Sequence, residues 1–173
     1  MAHAFLLTGI RGVGKTTTAR IIAKALNCVA DGNKKEPAFE ICNNCSPCKS
    51  INKGNFLDVI EVDAASRTGV DGIREIIDSV MYSPNNARYK VYIIDEVHML
   101  SNAAFNALLK TLEEPPQNVK FIFATTEIKK IPATIISRCQ KFDLQRVDIE
   151  TLTIHLNRIC EAENISYEND SIY

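Results

Sequence analysis

The chain has no apolar run long enough to cross a bilayer and no charged-then-apolar leader. A membrane span and a secretory signal are therefore not expected, and the cytoplasm is the expected compartment. An excess of charge of either sign is also missing, since 20 Lys and Arg against 21 Asp and Glu leave a net charge of −1. That excludes bulk electrostatic attraction as a route to nucleic acid, so any DNA contact must come from local geometry. There is no internal repeat and nothing like a disordered tail. What the 173 residues do have is 46% hydrophobic content, enough for one domain or one domain plus part of a second. Six cysteines in a cytoplasmic chain point to metal ligation or free thiols rather than disulfides.

Short β-rich apolar runs alternate with helical segments, the pattern of an α/β fold with a parallel sheet. Strands are expected at Ala4–Thr8, Leu57–Val62, Lys90–Ile94, Val119–Ala124 and Gln140–Leu144. Thr17 to Leu26 reads as a helix. So do Val70, Ile73, Ile76, Ile77, Val80 and Met81 at helical spacing, and Phe105, Leu108, Leu109 and Leu112 between a Ser101 cap and the stop at Pro115-Pro116. Ile131 to Ile136 reads as a short helix. Residues 28–53 break the alternation with Gly, Pro, Asn, Lys and cysteines, as an inserted module would. After Asp148 the character changes, and Ile149, Leu152, Leu156, Ile159 and Cys160 stripe one last helix.

Behind the first strand, Gly9-Ile10-Arg11-Gly12-Val13-Gly14-Lys15-Thr16 fits G-x-x-x-x-G-K-[ST], a P-loop whose backbone N–H groups cradle nucleotide phosphates. Glycines let the backbone approach the anion closely, and the helix that follows adds the positive end of its dipole. Lys15 is expected to reach the β and γ phosphates and Thr16 to offer its hydroxyl to Mg²⁺. Gly9, Arg11, Gly12, Val13, Gly14 and Thr17 complete the cradle around them. A second signal is Val91-Tyr92-Ile93-Ile94-Asp95-Glu96, a buried strand delivering two acids to its C-terminal end, where α/β sheets place ligands. Asp95 would hold the Mg²⁺ shell and Glu96 would orient or deprotonate the attacking water. Phe123-Ala124-Thr125-Thr126-Glu127 ends a third strand in hydroxyls that could sense the γ-phosphate or that water. In Ser137-Arg138-Cys139, Arg138 could stabilise phosphoryl charge in cis or in trans. His98 reads as a local structural histidine.

Cys42-x2-Cys45-x2-Cys48, with Cys28 upstream, offers four thiols in the inserted module. Soft thiolates in a tetrahedral cage suit structural Zn²⁺, with an iron–sulfur cluster as the rival. Cys139 and Cys160 sit singly in apolar context and read as packed thiols.

Taken together, these residues resemble one family. Ile94-Asp95-Glu96-Val97-His98-Met99-Leu100-Ser101, Phe105 to Pro116, Ser137-Arg138-Cys139, Asp63-Ala64-Ala65-Ser66-Arg67 and the four-cysteine module resemble the clamp-loader AAA+ ATPases, and within them the gamma/tau subunits of bacterial DNA polymerase III. The resemblance implies an AAA+ fold, a five-stranded parallel sheet with flanking helices, the inserted zinc module at 28–53, and a core over 1–147 followed at 148–173 by the start of a helical lid. It implies ATP, Mg²⁺ and Zn²⁺ as ligands, and as partners the other subunits of a hetero-pentamer held by a C-terminal collar, the sliding clamp, primed DNA and the polymerase core. It implies an ATPase with no polymerase site of its own. Carried over residue by residue, Lys15, Thr16, Asp95 and Glu96 keep the roles given above, Thr126 rather than Thr125 is the sensor, and Arg138 is an arginine finger acting on a neighbour's ATP. Arg67 and Thr68 become candidate contacts to the DNA backbone. The family normally carries a segment before the P-loop strand that grips the adenine base, whereas only Met1-Ala2-His3 precede it here. The related delta-prime subunit shares the zinc module and the SRC motif but lacks a working P-loop. Alternatives are a non-catalytic, zinc-stabilised scaffold subunit of that kind and another AAA+ DNA-processing ATPase.

Overall fold

A computed structural model describes residues 2–30, 37–38, 40–66 and 70–165. Within them β1 (Ala4–Thr8) is followed by α1 (Lys15–Asn27), α2 (Ser46–Asn52), β2 (Val59–Asp63), α3 (Val70–Val80) and β3 (Lys90–Asp95). Then come α4 (Asn102–Glu113), β4 (Val119–Thr125), α5 (Ala133–Ile136), β5 (Gln140–Asp143) and α6 (Ile149–Ala162). The strands form one five-stranded sheet in the order β2-β3-β4-β1-β5, with every pair parallel. Because parallel strands need crossovers, the helices cover both faces, and the central strands must be apolar on both sides. β1 and β4 are buried at every position.

Strand alternation sorts the core into two layers. Phe5 and Leu7 of β1, with Val91, Ile93 and Ile122, face Ala19, Ala23 and Leu26 of α1. Ala4 and Leu6 face the other way, with Tyr92, Ile94, Phe121 and Phe123, onto Ile73, Ile76 and Val80 of α3 and Phe105, Leu108 and Leu112 of α4. On that face the rings of Tyr92 and Phe121 stack at 5.4 Å between centroids. Ser101 caps α4 as its position suggests, its Oγ accepting from the Ala104 N–H at 3.2 Å.

Several boundaries differ from the sequence reading, each for a local reason. β2 starts at Val59 rather than Leu57, because Leu57 is 77% exposed. Asp58 is buried and its carboxylate accepts the N–H groups of Asn85, Asn86 and Ala87 at 2.8 to 3.0 Å. That carboxylate ties the entry of β2 to the turn before β3, while the Asp58 carbonyl accepts the Val91 N–H at 2.8 Å. α1 begins two residues earlier than Thr17, inside the phosphate loop itself. α3 ends at Val80, so Met81, which shares the apolar spacing, is 78% exposed beyond the helix. α5 starts at Ala133, because Pro132 occupies its N-cap position. Along α6, Ile149, Leu152, Leu156 and Ile159 are exposed, so most of that helix's apolar stripe is open among the described residues. Arg67 and Thr68 lie outside the described residues.

Candidate functional site

β1 delivers the chain to Gly9 at the C-terminal edge of the sheet, where the loop turns under its own first residues. Gly9 has φ +150, and a Cβ there would meet Leu144 O at 2.6 Å and Val13 Cγ1 at 2.9 Å, so no side chain fits. Gly14, with φ 91, is the N-cap of α1, whose first residues Lys15, Thr16 and Thr17 present free N–H groups to the mouth of the loop. Arg11, Gly12, Gly14, Lys15, Thr16, Thr17, Asp95 and Glu96 line one cavity of about 350 Å³. The Lys15 ammonium is folded onto the loop, donating to Gly9 O at 3.1 Å and Ile10 O at 2.9 Å. Those carbonyls satisfy a lysine that is only 6% exposed. Val13 and Ile10 face away from this cavity, into a neighbouring cleft of about 250 Å³ that they share with Arg11, Gly12, Arg146, Val147 and Leu152.

β3 brings the two acids to the same mouth, two strands away from β1 in the sheet. Thr16 Oγ1 donates to Asp95 Oδ2 at 2.5 Å, while Asp95 Oδ1 accepts the Glu96 N–H at 2.9 Å. A hydroxyl and a carboxylate oxygen side by side are hard donors, the set that Mg²⁺ takes. Glu96 has left-handed backbone, with φ 46 and ψ 43, a conformation that disfavours any residue with a Cβ. Its side chain is held from two directions. Thr126 Oγ1 donates to Glu96 Oε2 at 3.2 Å, and His98 Nδ1 lies 3.4 Å from the same oxygen. Strand parity separates the two threonines. Thr125 closes β4 fully buried, its Oγ1 accepting the Glu127 N–H at 3.0 Å and meeting His98 Nδ1 at 3.0 Å. Thr126, one residue on, faces the acid.

Arg138 stands elsewhere. It precedes β5, whose Gln140 is in register with Phe5 near the start of β1, whereas the phosphate loop leaves β1 after Thr8. The intervening strand alone spans about 10 Å, so Arg138 lies at the N-terminal edge of the sheet and not in this chain's own cavity. There its guanidinium donates to Glu113 Oε1 at 2.6 Å and to Thr134 O at 2.7 Å.

The inserted module closes on itself at the far end of α1. The Sγ atoms of Cys28, Cys42, Cys45 and Cys48 all lie within 4.8 Å of one another. Thiolates at about 2.3 Å from one tetrahedral ion stand about 3.8 Å apart, so the cage fits a single soft cation with a small adjustment. A multi-iron core needs wider separation. Cys45 is the N-cap of α2 and Cys48 sits in its first turn. Backbone N–H groups of Cys45 and Asn44 lower the Cys42 thiol to about 6, which favours the thiolate a metal requires. Cys139 is the opposite case, since burial pushes its thiol up to about 12.

His98, Glu113 and Glu127 were not readable as parts of the site from the sequence. Each acts through a partner on another element, and no local spacing signals that. No helix among the described residues is long and apolar enough to cross a membrane.

A family model described as DNA polymerase III, delta subunit, matches residues 1–148. DNA polymerase III subunit tau of Bacillus subtilis is 54% identical over 171 residues, covering 99% of this chain and 30% of that protein. DNA polymerase III subunit gamma of Buchnera aphidicola is 55% identical over 170 residues, covering 98% of this chain and 46% of that protein. The chain thus spans less than half the length of these curated relatives. Among solved structures, the RuvB Holliday junction branch migration motor of Thermotoga maritima superposes with a TM-score of 0.64 at 19% identity, over 99% of this chain and 47% of that one. That likeness shows a shared fold, a parallel sheet flanked by helices. The family model covers most of the chain, which therefore belongs to the family it describes, DNA polymerase III, delta subunit, and is similar along nearly its whole length to gamma and tau subunits of that enzyme.

Proposed function

We propose that this chain is the ATP-binding and ATP-hydrolysing core of a clamp-loader subunit that opens a ring-shaped sliding clamp and leaves it closed on primed DNA. The observation that carries this reading is the convergence of Lys15, Thr16, Asp95 and Glu96 on one cavity, with Thr126 from the exit of β4 hydrogen-bonded to Glu96.

In this reading the β and γ phosphates of ATP lie against the N–H groups of Gly12 to Thr17, and Lys15 exchanges its two loop carbonyls for phosphate oxygens. Thr16 and Asp95 would hold Mg²⁺, which when bound offsets charge on the bridging phosphates. Glu96 orients the attacking water and accepts its proton, and Thr126 keeps that carboxylate aimed at the γ-phosphate. The apolar cleft of Ile10, Val13, Val147 and Leu152 suits a planar base beside the phosphates. Arg138 serves a neighbouring subunit's nucleotide, so the site is complete only in an assembly. The cysteine cage holds Zn²⁺ and fixes the C-terminal end of α1, while residues from 148 onward begin a lid whose apolar stripe is covered by further chain. Other clamp-loader subunits, the clamp, primed DNA and the polymerase core are the partners, and the bacterial cytoplasm is the compartment.

A second reading is a non-catalytic, zinc-stabilised subunit of the same assembly, and it draws on the family model's delta-subunit description. Calorimetry separates the two. Titration of ATP with Mg²⁺ into the chain is expected to show saturable binding that Lys15→Ala abolishes, whereas a scaffold shows no heat beyond dilution.

A further inference from the structure

His98 is almost buried, with 7% of its side chain exposed, and the reading above gives it no task. It follows Glu96 by two residues, in the single 3₁₀ turn Val97–Met99 that the left-handed Glu96 initiates. Its ring lies between two elements. Nδ1 is 3.0 Å from Thr125 Oγ1 and 3.4 Å from Glu96 Oε2, while Nε2 is 3.5 Å from Glu127 Oε1. Glu127 is in turn held by Lys130 at 2.9 Å. The exit of β4 is therefore tied to Glu96 through two links, Thr126 directly and His98 through Thr125 and Glu127.

Oε2 of Glu96 accepts from the Thr126 hydroxyl at 3.2 Å and lies 3.4 Å from His98 Nδ1, so both contacts fall on one oxygen of the carboxylate. We infer that His98 is a positioning residue for Glu96, locking its carboxylate to the end of β4 so that one oxygen is presented to the attacking water. This rests on the reading of Glu96 as the residue that activates that water. Nothing in the arrangement puts His98 on the phosphate loop, so its removal should slow turnover and leave nucleotide binding alone.

The test uses the full-length subunit assembled with its partners, clamp and primed DNA, with ATP and Mg²⁺ as substrate. His98→Ala is expected to lower kcat about tenfold or more with KM and nucleotide affinity changed less than about threefold. His98→Asn keeps a polar amide near the Nδ1 position and is expected to recover kcat to within about threefold of the parent. Glu96→Gln distinguishes the two levels of the reading. Unchanged turnover in Glu96→Gln overturns the assignment of Glu96 and with it this inference. Turnover lost in Glu96→Gln but kept in His98→Ala overturns the positioning role alone. A rise in KM without a fall in kcat also overturns it, as does a His98→Asn no better than His98→Ala. Should the alanine variant not assemble, the asparagine variant decides, and a kcat about tenfold down there overturns the inference.

Discussion

Thr16 at the start of α1 and Asp95 at the end of β3 meet through a 2.5 Å hydrogen bond from hydroxyl to carboxylate, 79 residues apart in the chain. The bond joins the phosphate loop to the acid pair, and Thr16 and Asp95 are the residues that would hold Mg²⁺ in the proposed site. A hydrogen bond to a charged group contributes about 1.5 to 3 kcal/mol, a tenfold to hundredfold effect. Asp95→Asn is therefore expected to remove most of the gain in ATP affinity that Mg²⁺ confers, measured by calorimetry with and without the ion. Equal gain in the parent and the variant would mean that Asp95 does not serve the metal.

Arg138 and Glu113 form a 2.6 Å ion pair at the sheet's opposite edge. Both side chains are partly exposed, so the pair contributes little stability, and the proposed trans role would require Arg138 to leave it. In an assembled complex Arg138→Ala is expected to lower ATP turnover about 10³-fold or more while this chain's own affinity for ATP is unchanged. Turnover measured in complexes that mix parent and variant subunits checks the direction, since the loss should appear at the site next door.

The cysteine cage stands at the C-cap of α1, where Arg88 also donates to Leu26 O at 2.5 Å. Elemental analysis is expected to give about one zinc per chain and no visible absorbance. Cys48→Ser, or prolonged chelation, should lower the thermal midpoint by roughly 5 °C or more, because metal binding to such a cage is folding free energy. Iron in stoichiometric amount would reverse the identification.

Asp148 caps α6, with Oδ1 accepting the Thr151 N–H at 2.8 Å and Oδ2 the Thr151 hydroxyl at 2.9 Å. These bonds, the backbone one foremost, hold its carboxyl below the ordinary value of 3.8. A folded value below the unfolded one means that the cap's contribution is present above the unfolded value and lost as pH falls through the folded one. Amide protection in the first turn of α6, corrected for intrinsic exchange, should stay level from neutrality to about pH 4 and fall below it. Asp148→Ala should show reduced protection at neutral pH and no acid step. An acid step of the same size in that variant would contradict the assignment.

The phosphate loop was legible because its chemistry is local: eight consecutive residues specify backbone, charge and helix start together. The four cysteines were legible for a related reason, their spacing, although Cys28 joins the other three only through the fold. The sheet followed from apolar runs, yet Leu57 has strand composition and lies in solvent, because the buried carboxylate of the next residue anchors a turn 27 to 29 residues away. Spacing did not separate Thr125 from Thr126, although the family resemblance favoured Thr126; in the fold Thr125 is buried at the end of β4 and the Thr126 hydroxyl meets Glu96. Glu113 and His98 were silent in the sequence because what matters about each is a partner on another element, Arg138 in one case and the Glu96 carboxylate in the other.

Clamp loading by the reconstituted full-length assembly, followed as ATP-dependent retention of a labelled clamp on primed circular DNA, tests the proposed role most directly. The subunit carrying Lys15→Ala should load no clamp, because phosphate binding fails. The one carrying Glu96→Gln should bind clamp and DNA with ATP but not release them. Loading at the parent rate with Lys15→Ala would contradict the assignment of Gly9 to Thr16 as the ATP site that drives this assembly.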